Sequence, residues 1–192
     1  MITADLTIQA PEIEYAMLAP LFIVSGVAVL GVVVEALWPR KSRFAVQAIL
    51  AVVGVAATLV DTIWVFQNLD KIDDPKLARG LIGAEGAVAI DGPGVFTWGI
   101  LLVFALMSML LFAERRLEGG LSAFTGRAAD APGSAGEAEA ISKRIEHSEV
   151  FPLAMFSLVG MMLFATSNDL LTMFVALEVL SLPLYLLCGI AR

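Results

Sequence analysis

One apolar run near the end of the sequence constrains the fold more than any other feature. It extends from Leu170 to Ile190, 21 residues with a single carboxylate, Glu178, close to the middle. At about 1.5 Å per residue, a helix of this length crosses a bilayer core about 30 Å thick. Glu178 then lies roughly 12 Å from the start of the run, near the midplane. A carboxylate at that depth is costly and usually faces a bundle interior or a water-filled path, so a functional interpretation starts there.

The composition agrees with a membrane protein. The chain is 59% hydrophobic and 16% charged, whereas soluble domains carry about 25% charged residues. Its net charge of −7, without any strongly basic segment, gives no support for a nucleic-acid partner. The single cysteine, Cys188, excludes an intrachain disulfide and a cysteine-ligated metal or iron–sulfur site. We therefore expect an all-α integral membrane protein that binds no cofactor or metal itself.

Hydrophobic runs, separated by polar segments, predict five transmembrane helices. Their predicted spans are 15–37, 44–66, 95–113, 150–166 and 170–190. Between the last two lies only Ser167-Asn168-Asp169, so these helices should form an antiparallel pair. Ser157 and Gly160 are small enough to let the fourth helix approach a neighbour closely.

Three polar segments separate or precede the predicted helices. Residues 1–14 form an N-terminal arm without a basic n-region, which argues against a cleaved signal peptide. The loop 67–94 contains a stretch, residues 87–92, that could form a short strand or hairpin arm. The loop 114–149 is rich in small residues and is expected to be flexible.

The basic residues predict the orientation in the membrane. Nine lie on one side of the predicted helices, namely Arg40, Lys41, Arg43, Arg115, Arg116, Arg127, Lys143, Arg144 and Arg192, and three on the other, namely Lys71, Lys76 and Arg79. The positive-inside rule then places the N-terminal arm and the loop 67–94 outside and the loop 114–149 in the cytoplasm.

Glu178 is accompanied by polar residues on its own helical face. Ser181 and Tyr185 follow it by three and seven positions, so a carboxyl, a hydroxyl and a phenol form one stripe. Pro183 removes a backbone N–H, predicts a kink and frees the carbonyl of Val179. These groups suit a proton relay, and the alternative is a neutral Glu178 that hydrogen-bonds between helices only for packing.

Two other acids lie near helix ends. Asp61 is either solvated at the end of the second helix or a secondary site in a polar path, and the residues favour neither. Glu35 lies one turn from a basic cluster, so an interfacial ion pair with Arg40 or Lys41 is favoured over a place in a proton path.

The last two helices resemble a known family. The segments Phe151-Pro152-Leu153, Ser167-Asn168-Asp169-Leu170-Leu171 and Leu177-Glu178-Val179-Leu180-Ser181-Leu182-Pro183-Leu184-Tyr185 closely resemble the N-subunit family of bacterial NADH:quinone oxidoreductase. These are antiporter-like subunits in the membrane arm of respiratory complex I. The residues around the glutamate look like the N rather than the L or M paralogues.

This resemblance implies a fold and a function. Residues 15–113 would be three leading helices, and residues 150–192 the start of the proton-translocating domain of a longer helical bundle. Glu178 would be the proton-translocating glutamate, coupled in the family to a lysine on a broken seventh helix. No such lysine occurs in this sequence, so we expect the chain to be the N-terminal part of a longer subunit with an incomplete proton path.

The resemblance also implies cofactors, partners and a location. NADH, FMN, iron–sulfur clusters and quinone would be bound by other subunits of the complex. Neighbours would include an M-type subunit, small K- and J-type subunits and lipid, in the bacterial plasma membrane. The alternatives are a subunit of a multisubunit cation/proton antiporter and a purely structural membrane-arm subunit.

Overall fold

A computed structural model of the chain describes residues 14–71, 79–114 and 147–190. The predicted N-terminal arm up to residue 13 and residues 115–146 of the predicted flexible loop lie outside these ranges. Of the loop 67–94, only residues 72–78 lie outside the described ranges. The stretch 87–92, for which the sequence suggested a strand, is described.

Five apolar α-helices make up most of the described chain. They are α1 (Tyr15–Leu37), α2 (Arg40–Asn68), α3 (Gly92–Ala113), α4 (Val150–Thr166) and α5 (Leu170–Ile190). All except α4 are long and apolar enough to cross a membrane, and α4 is a shorter apolar helix of 17 residues. The predicted all-α membrane fold is confirmed.

Two helices begin earlier than the sequence suggested, and proline explains both starts. Helix α2 begins at Arg40 rather than residue 44, directly after Pro39, whose extended backbone ends the preceding segment. Helix α3 begins at Gly92 rather than residue 95, with Pro93 in its first turn, where the missing N–H breaks no helical hydrogen bond. The Asp91 side chain caps this helix by accepting a hydrogen bond from the Gly94 N–H at 2.8 Å.

The segment between α2 and α3 folds into a β-hairpin. Strand β1 (Gly80–Gly83) pairs antiparallel with strand β2 (Val88–Asp91), which is the strand that the sequence suggested. The turn between them holds Ala84 and Glu85 at φ of 51° and 55°, in the left-handed region. Leu81, Val88 and Ile90 of the two strands are buried against the helices.

The core lies among α1, α2, α3 and α4. Trp98 of α3 is fully buried, and its indole N–H donates to the carbonyl of Met162 in α4 at 2.8 Å. Phe44 of α2 meets Phe151 of α4 edge to face, with ring centroids 5.3 Å apart. These contacts hold α4 as part of the bundle rather than as a peripheral helix.

Helix α5 lies at the edge of this bundle and packs mainly on α4. In its most apolar 18-residue window only 6% of the residues are buried, against 33% in α1 and in α2. At the closest approach, a Cβ added to Gly160 of α4 would lie 2.6 Å from the Cα of Leu180. The predicted close contact at Gly160 is thus the contact that joins α4 to α5.

The turn before α5 is fixed from two sides. The Asn168 backbone N–H donates to the Ala87 carbonyl at 2.9 Å, and its side-chain amide to the Gly86 carbonyl at 2.8 Å, so the hairpin holds the turn. The Asp169 carboxylate accepts hydrogen bonds from the Thr172 hydroxyl at 2.6 Å and the Thr172 N–H at 2.8 Å. These bonds lower the pKa of Asp169, and together the contacts set where α5 begins.

Candidate functional site

The buried residues of α5 show which of its faces meets α4. Ala176 and Pro183 are its two buried residues, seven positions and about two turns apart. Positions two apart on an α-helix point about 200° apart, so Glu178 lies on the side turned away from α4. Tyr185, seven positions after Glu178, lies on the same side.

The three polar residues predicted to share a face of α5 do share one, and their side chains form few hydrogen bonds with the described residues. Glu178 is half-buried, and no described residue forms a hydrogen bond or ion pair with its carboxylate. The Ser181 hydroxyl donates to the Glu178 backbone carbonyl at 3.5 Å, the limit for such a bond. Tyr185 is 70% exposed. The stripe is therefore an open polar face on an apolar helix.

Pro183 lies on the opposite side of α5 from this stripe. Its ring is buried at the contact with α4, and the helix continues through it to Ile190. Because proline has no N–H, the carbonyl of Val179 loses its usual donor four residues later. This leaves a backbone acceptor one residue from Glu178, although the proline ring itself faces α4.

Chemically, the stripe can bind and pass protons. A carboxyl group exchanges a proton, and the hydroxyls of Ser181 and Tyr185 can each donate and accept a hydrogen bond. The three side chains extend over about 10 Å of helix, from the middle of α5 towards its C-terminal end. In the described ranges, no group of three or more His, Cys, Asp and Glu side chains could hold a metal ion.

Asp61 lies in a groove between α1 and α2 rather than on the α5 stripe. Alanines line much of this groove, and Val60 and Trp64 line the rest with Asp61. One carboxylate oxygen, Oδ2, is buried and has no hydrogen-bond partner. The structure does not join Asp61 to Glu178 by any hydrogen bond within the described part of the chain.

Glu35 has a different partner from the one expected. Its Oε1 atom forms an ion pair with Arg43 at 2.7 Å, whereas the sequence favoured Arg40 or Lys41. Its Oε2 atom accepts hydrogen bonds from Ser148 at 2.8 Å and from Gln47 at 3.2 Å. Gln47 also donates to the Gly31 carbonyl at 2.7 Å. This Glu35 cluster joins α1, α2 and the residues that lead into α4.

The sequence contains one signal for this cluster. Arg43 and Gln47 are four positions apart, so they share one face of α2. A polar side chain such as Gln47, within the apolar run that begins at Phe44, points to a polar partner on a neighbouring helix. Ser148 could not be found in this way, because it lies 113 residues from Glu35 along the chain.

Comparison with known proteins now decides the family. No family model matches the chain. Over 182 residues, 95% of the chain, it is 60% identical to the NADH-quinone oxidoreductase subunit N of Nocardioides sp.. It is 47% identical to the protein of that name from Thermobifida fusca over 97% of the chain, and 43% identical to that of Mycobacterium bovis over 96%. The chain belongs to the NADH-quinone oxidoreductase subunit N family.

Membership in the subunit N family confirms the resemblance seen in the last two helices. The chain spans about a third of the length of these curated relatives: 34%, 33% and 36%, respectively.

Proposed function

We propose that the chain is part of a membrane-arm subunit of bacterial proton-translocating NADH:quinone oxidoreductase. In this role it carries protons across the plasma membrane, driven by quinone reduction elsewhere in the complex. The observation that carries the proposal is Glu178, a carboxylate at the middle of a membrane-length helix, without a partner in the described chain and turned away from α4. The names of the relatives support the complex to which the subunit belongs.

Glu178 would act as the proton-binding group. Proton exchange would continue through the hydroxyls of Ser181 and Tyr185, with water between groups that are too far apart for direct hydrogen bonds. The Val179 carbonyl, freed by Pro183, would accept a hydrogen bond from such a water or from a neighbouring helix. A cation from a further helix on the open side of α5 would stabilise the charged state of Glu178.

Asp61 would belong to a separate, secondary path. Its groove lies between α1 and α2, away from the α4 contact of α5. Its buried oxygen without a partner supports a role in binding a proton or a donor group.

The redox chemistry would reside in other subunits. NADH, FMN, iron–sulfur clusters and quinone would be bound there, and this chain would hold none of them. The adjoining subunits would be an M-type antiporter-like subunit and small K- and J-type subunits. The N-terminus and the hairpin would face the periplasm, because nine of the twelve basic residues lie on the other side.

A conservative substitution tests the role of Glu178. In the intact complex, Glu178→Gln keeps the size and hydrogen-bonding capacity of the side chain but cannot exchange a proton. We expect proton pumping, measured by a pH-sensitive dye in vesicles, to fall by about a hundredfold, the lower end of the range that one lost proton-transfer group costs. Assembly, measured by native gel electrophoresis, should be unchanged.

The matched control is Glu85→Gln, the same chemical change at an exposed acid in the hairpin turn. It should pump as the wild type does. Normal pumping by Glu178→Gln would contradict the proposal, and normal pumping and assembly by Glu178→Leu would favour a purely structural subunit. Purification without flavin and iron–sulfur subunits would favour a cation/proton antiporter instead.

A further inference from the structure

A groove of about 500 Å³ runs between α2 and α3 on the outer surface of the bundle. Its walls are almost entirely apolar and aromatic, and the side chains that matter here are Leu59, Ile63, Phe66, Phe96, Ile100 and Phe104. Several of these are well exposed, including Phe96 at 62% and Phe104 at 67%. The groove therefore opens towards the surroundings of the bundle rather than into its core.

The groove runs from the hairpin end of the two helices towards the middle of the membrane. Its α2 wall extends from Leu59 to Gln67, about 12 Å along the helix axis. That length fits within one leaflet, since half of the hydrocarbon core is about 15 Å. Gly99 lies in the α3 wall, and a Cβ added there would meet no atom within 4 Å, so the groove is open at this point.

The end of the groove nearest the hairpin carries a cation and an anion. The Arg79 guanidinium lies over the Phe66 ring, with its carbon 5.1 Å from the ring centroid. Arg79 Nε lies 2.6 Å from the Asp70 carboxylate, and the two side chains remain 42% and 66% exposed. The apolar groove thus ends at an accessible pair of opposite charges, Arg79 and Asp70, at the membrane surface.

The size of the groove favours an extended hydrocarbon chain over an α-helix as its occupant. A volume of 500 Å³ over a length of about 12 Å gives a mean cross-section of about 40 Å². A helix about 10 Å across has a cross-section of about 80 Å², twice that value. An extended hydrocarbon chain is narrower than a helix and matches the apolar lining along its whole length.

We propose that this groove binds one acyl chain of a zwitterionic glycerophospholipid. The chain lies between α2 and α3, the lipid phosphate meets Arg79, and the head-group ammonium meets Asp70. Both charges of the head group are needed, because Arg79 is already paired with Asp70 and an anionic lipid would add a second negative charge beside this one cation. The site is independent of the α5 stripe and of proton translocation.

The test uses a phosphatidylethanolamine with a photoactivatable diazirine in its acyl chain. The complex that contains the chain is reconstituted into vesicles of phosphatidylethanolamine and phosphatidylglycerol with a trace of this probe. After illumination, mass spectrometry measures the labelling of peptides from α2 and α3. We expect the peptides with Ile63 and Ile100 to be labelled, and Gly99→Phe, which fills the groove, to reduce that labelling about tenfold.

The matched control is Gly26→Phe on α1. Gly26 is exposed, and a Cβ there, as at Gly99, meets no atom within 4 Å, so this variant adds the same ring outside the groove. It should leave the labelling of α2 and α3 unchanged. Equal labelling of Gly99→Phe and the wild type would overturn the proposal, because the probe would then report only bulk lipid.

Two further measurements test the head group and the occupant. The wild type should be labelled several-fold more by the phosphatidylethanolamine probe than by a phosphatidylglycerol probe, and Asp70→Asn with Arg79→Gln should abolish this preference. A photoreactive amino acid placed at Ile100 should cross-link to lipid. Cross-linking to a helix of another subunit, or no preference in the wild type, would overturn the assignment.

Discussion

Two carboxylates of this chain, Glu35 and Glu178, lie in apolar helices but in opposite circumstances. Glu35 uses both oxygens, one for Arg43 and the other for Gln47 and Ser148. Glu178 has no partner in the described chain. A carboxylate in an apolar setting is costly unless paired, so the satisfied acid is explained by stability and the unsatisfied one requires another explanation. This contrast supports the proposed role of Glu178.

The structural role of Glu35 leads to a prediction about stability. Glu35→Leu removes the acceptor for three donors, two of which belong to the buried side chains of Gln47 and Ser148. Gln47 keeps the Gly31 carbonyl, but the Ser148 hydroxyl loses its acceptor. We therefore expect the free energy of unfolding, measured by SDS titration, to fall by about 2 kcal/mol, within the range for a buried donor left without its partner. Glu35→Gln should cost less, because its carbonyl can still accept from Ser148.

Measuring pumping and assembly of the Glu35 and Glu178 variants distinguishes a stabilising acid from a proton-transfer acid. Both Glu35 variants that still assemble should pump protons normally, whereas Glu178→Gln should assemble normally and pump poorly. A Glu35→Gln variant with full stability but reduced pumping would contradict the structural interpretation of the Glu35 cluster.

At the scale of elements, the contact between α4 and α5 decides which face of α5 carries the site. Gly160 lets the two backbones approach, and this approach places Ala176 and Pro183 against α4. The hairpin and Asp169 then fix the start of α5. The depth of Glu178 is set by that start, and its direction is set by the contact at Gly160.

A larger residue at position 160 should therefore displace α5. The atoms added in Gly160→Leu would overlap the backbone of Leu180, which cannot move aside as a side chain can. We expect a loss of about 2 kcal/mol in the free energy of unfolding, typical of overpacking. The control, Gly26→Leu, adds the same side chain into open space and should change stability little. Equal stability of the two variants would show that the α4–α5 contact is looser than the structure indicates.

The sequence predicted some of these features and could not predict others, for physical reasons. A long apolar run is recognised from composition and length alone, so the five helices and the position of Glu178 near the middle of the last one followed directly. The pairing of Glu35 with Arg43 depends on how α2 is rotated against α1, which no local pattern specifies. Strand β1 was not anticipated, because its glycine ends and the left-handed turn at Ala84 and Glu85 have no strong local signature.

For the whole molecule, four helices form a common core, and α5 stands at its edge with one side that no other described helix covers. The hairpin lies at one end of this bundle and fixes α5 there. The end of α3 at Ala113 and the start of α4 at Val150 lie at the other end, with the Glu35 cluster. Which end faces the periplasm is a property of the whole arrangement, and the distribution of basic residues is its physical determinant.

Cysteine labelling tests this orientation with residues from each end. The thiol of Cys188, the one cysteine in this sequence, is removed by Cys188→Ser. Single cysteines are then introduced by Glu85→Cys in the hairpin turn and by Glu114→Cys at the end of α3, both at exposed positions. In intact spheroplasts, a membrane-impermeant maleimide should label Glu85→Cys and leave Glu114→Cys unlabelled until the membrane is permeabilised. The reverse pattern would place the hairpin in the cytoplasm, against the nine-to-three distribution of basic residues, and would reverse the direction in which the stripe from Glu178 to Tyr185 leads.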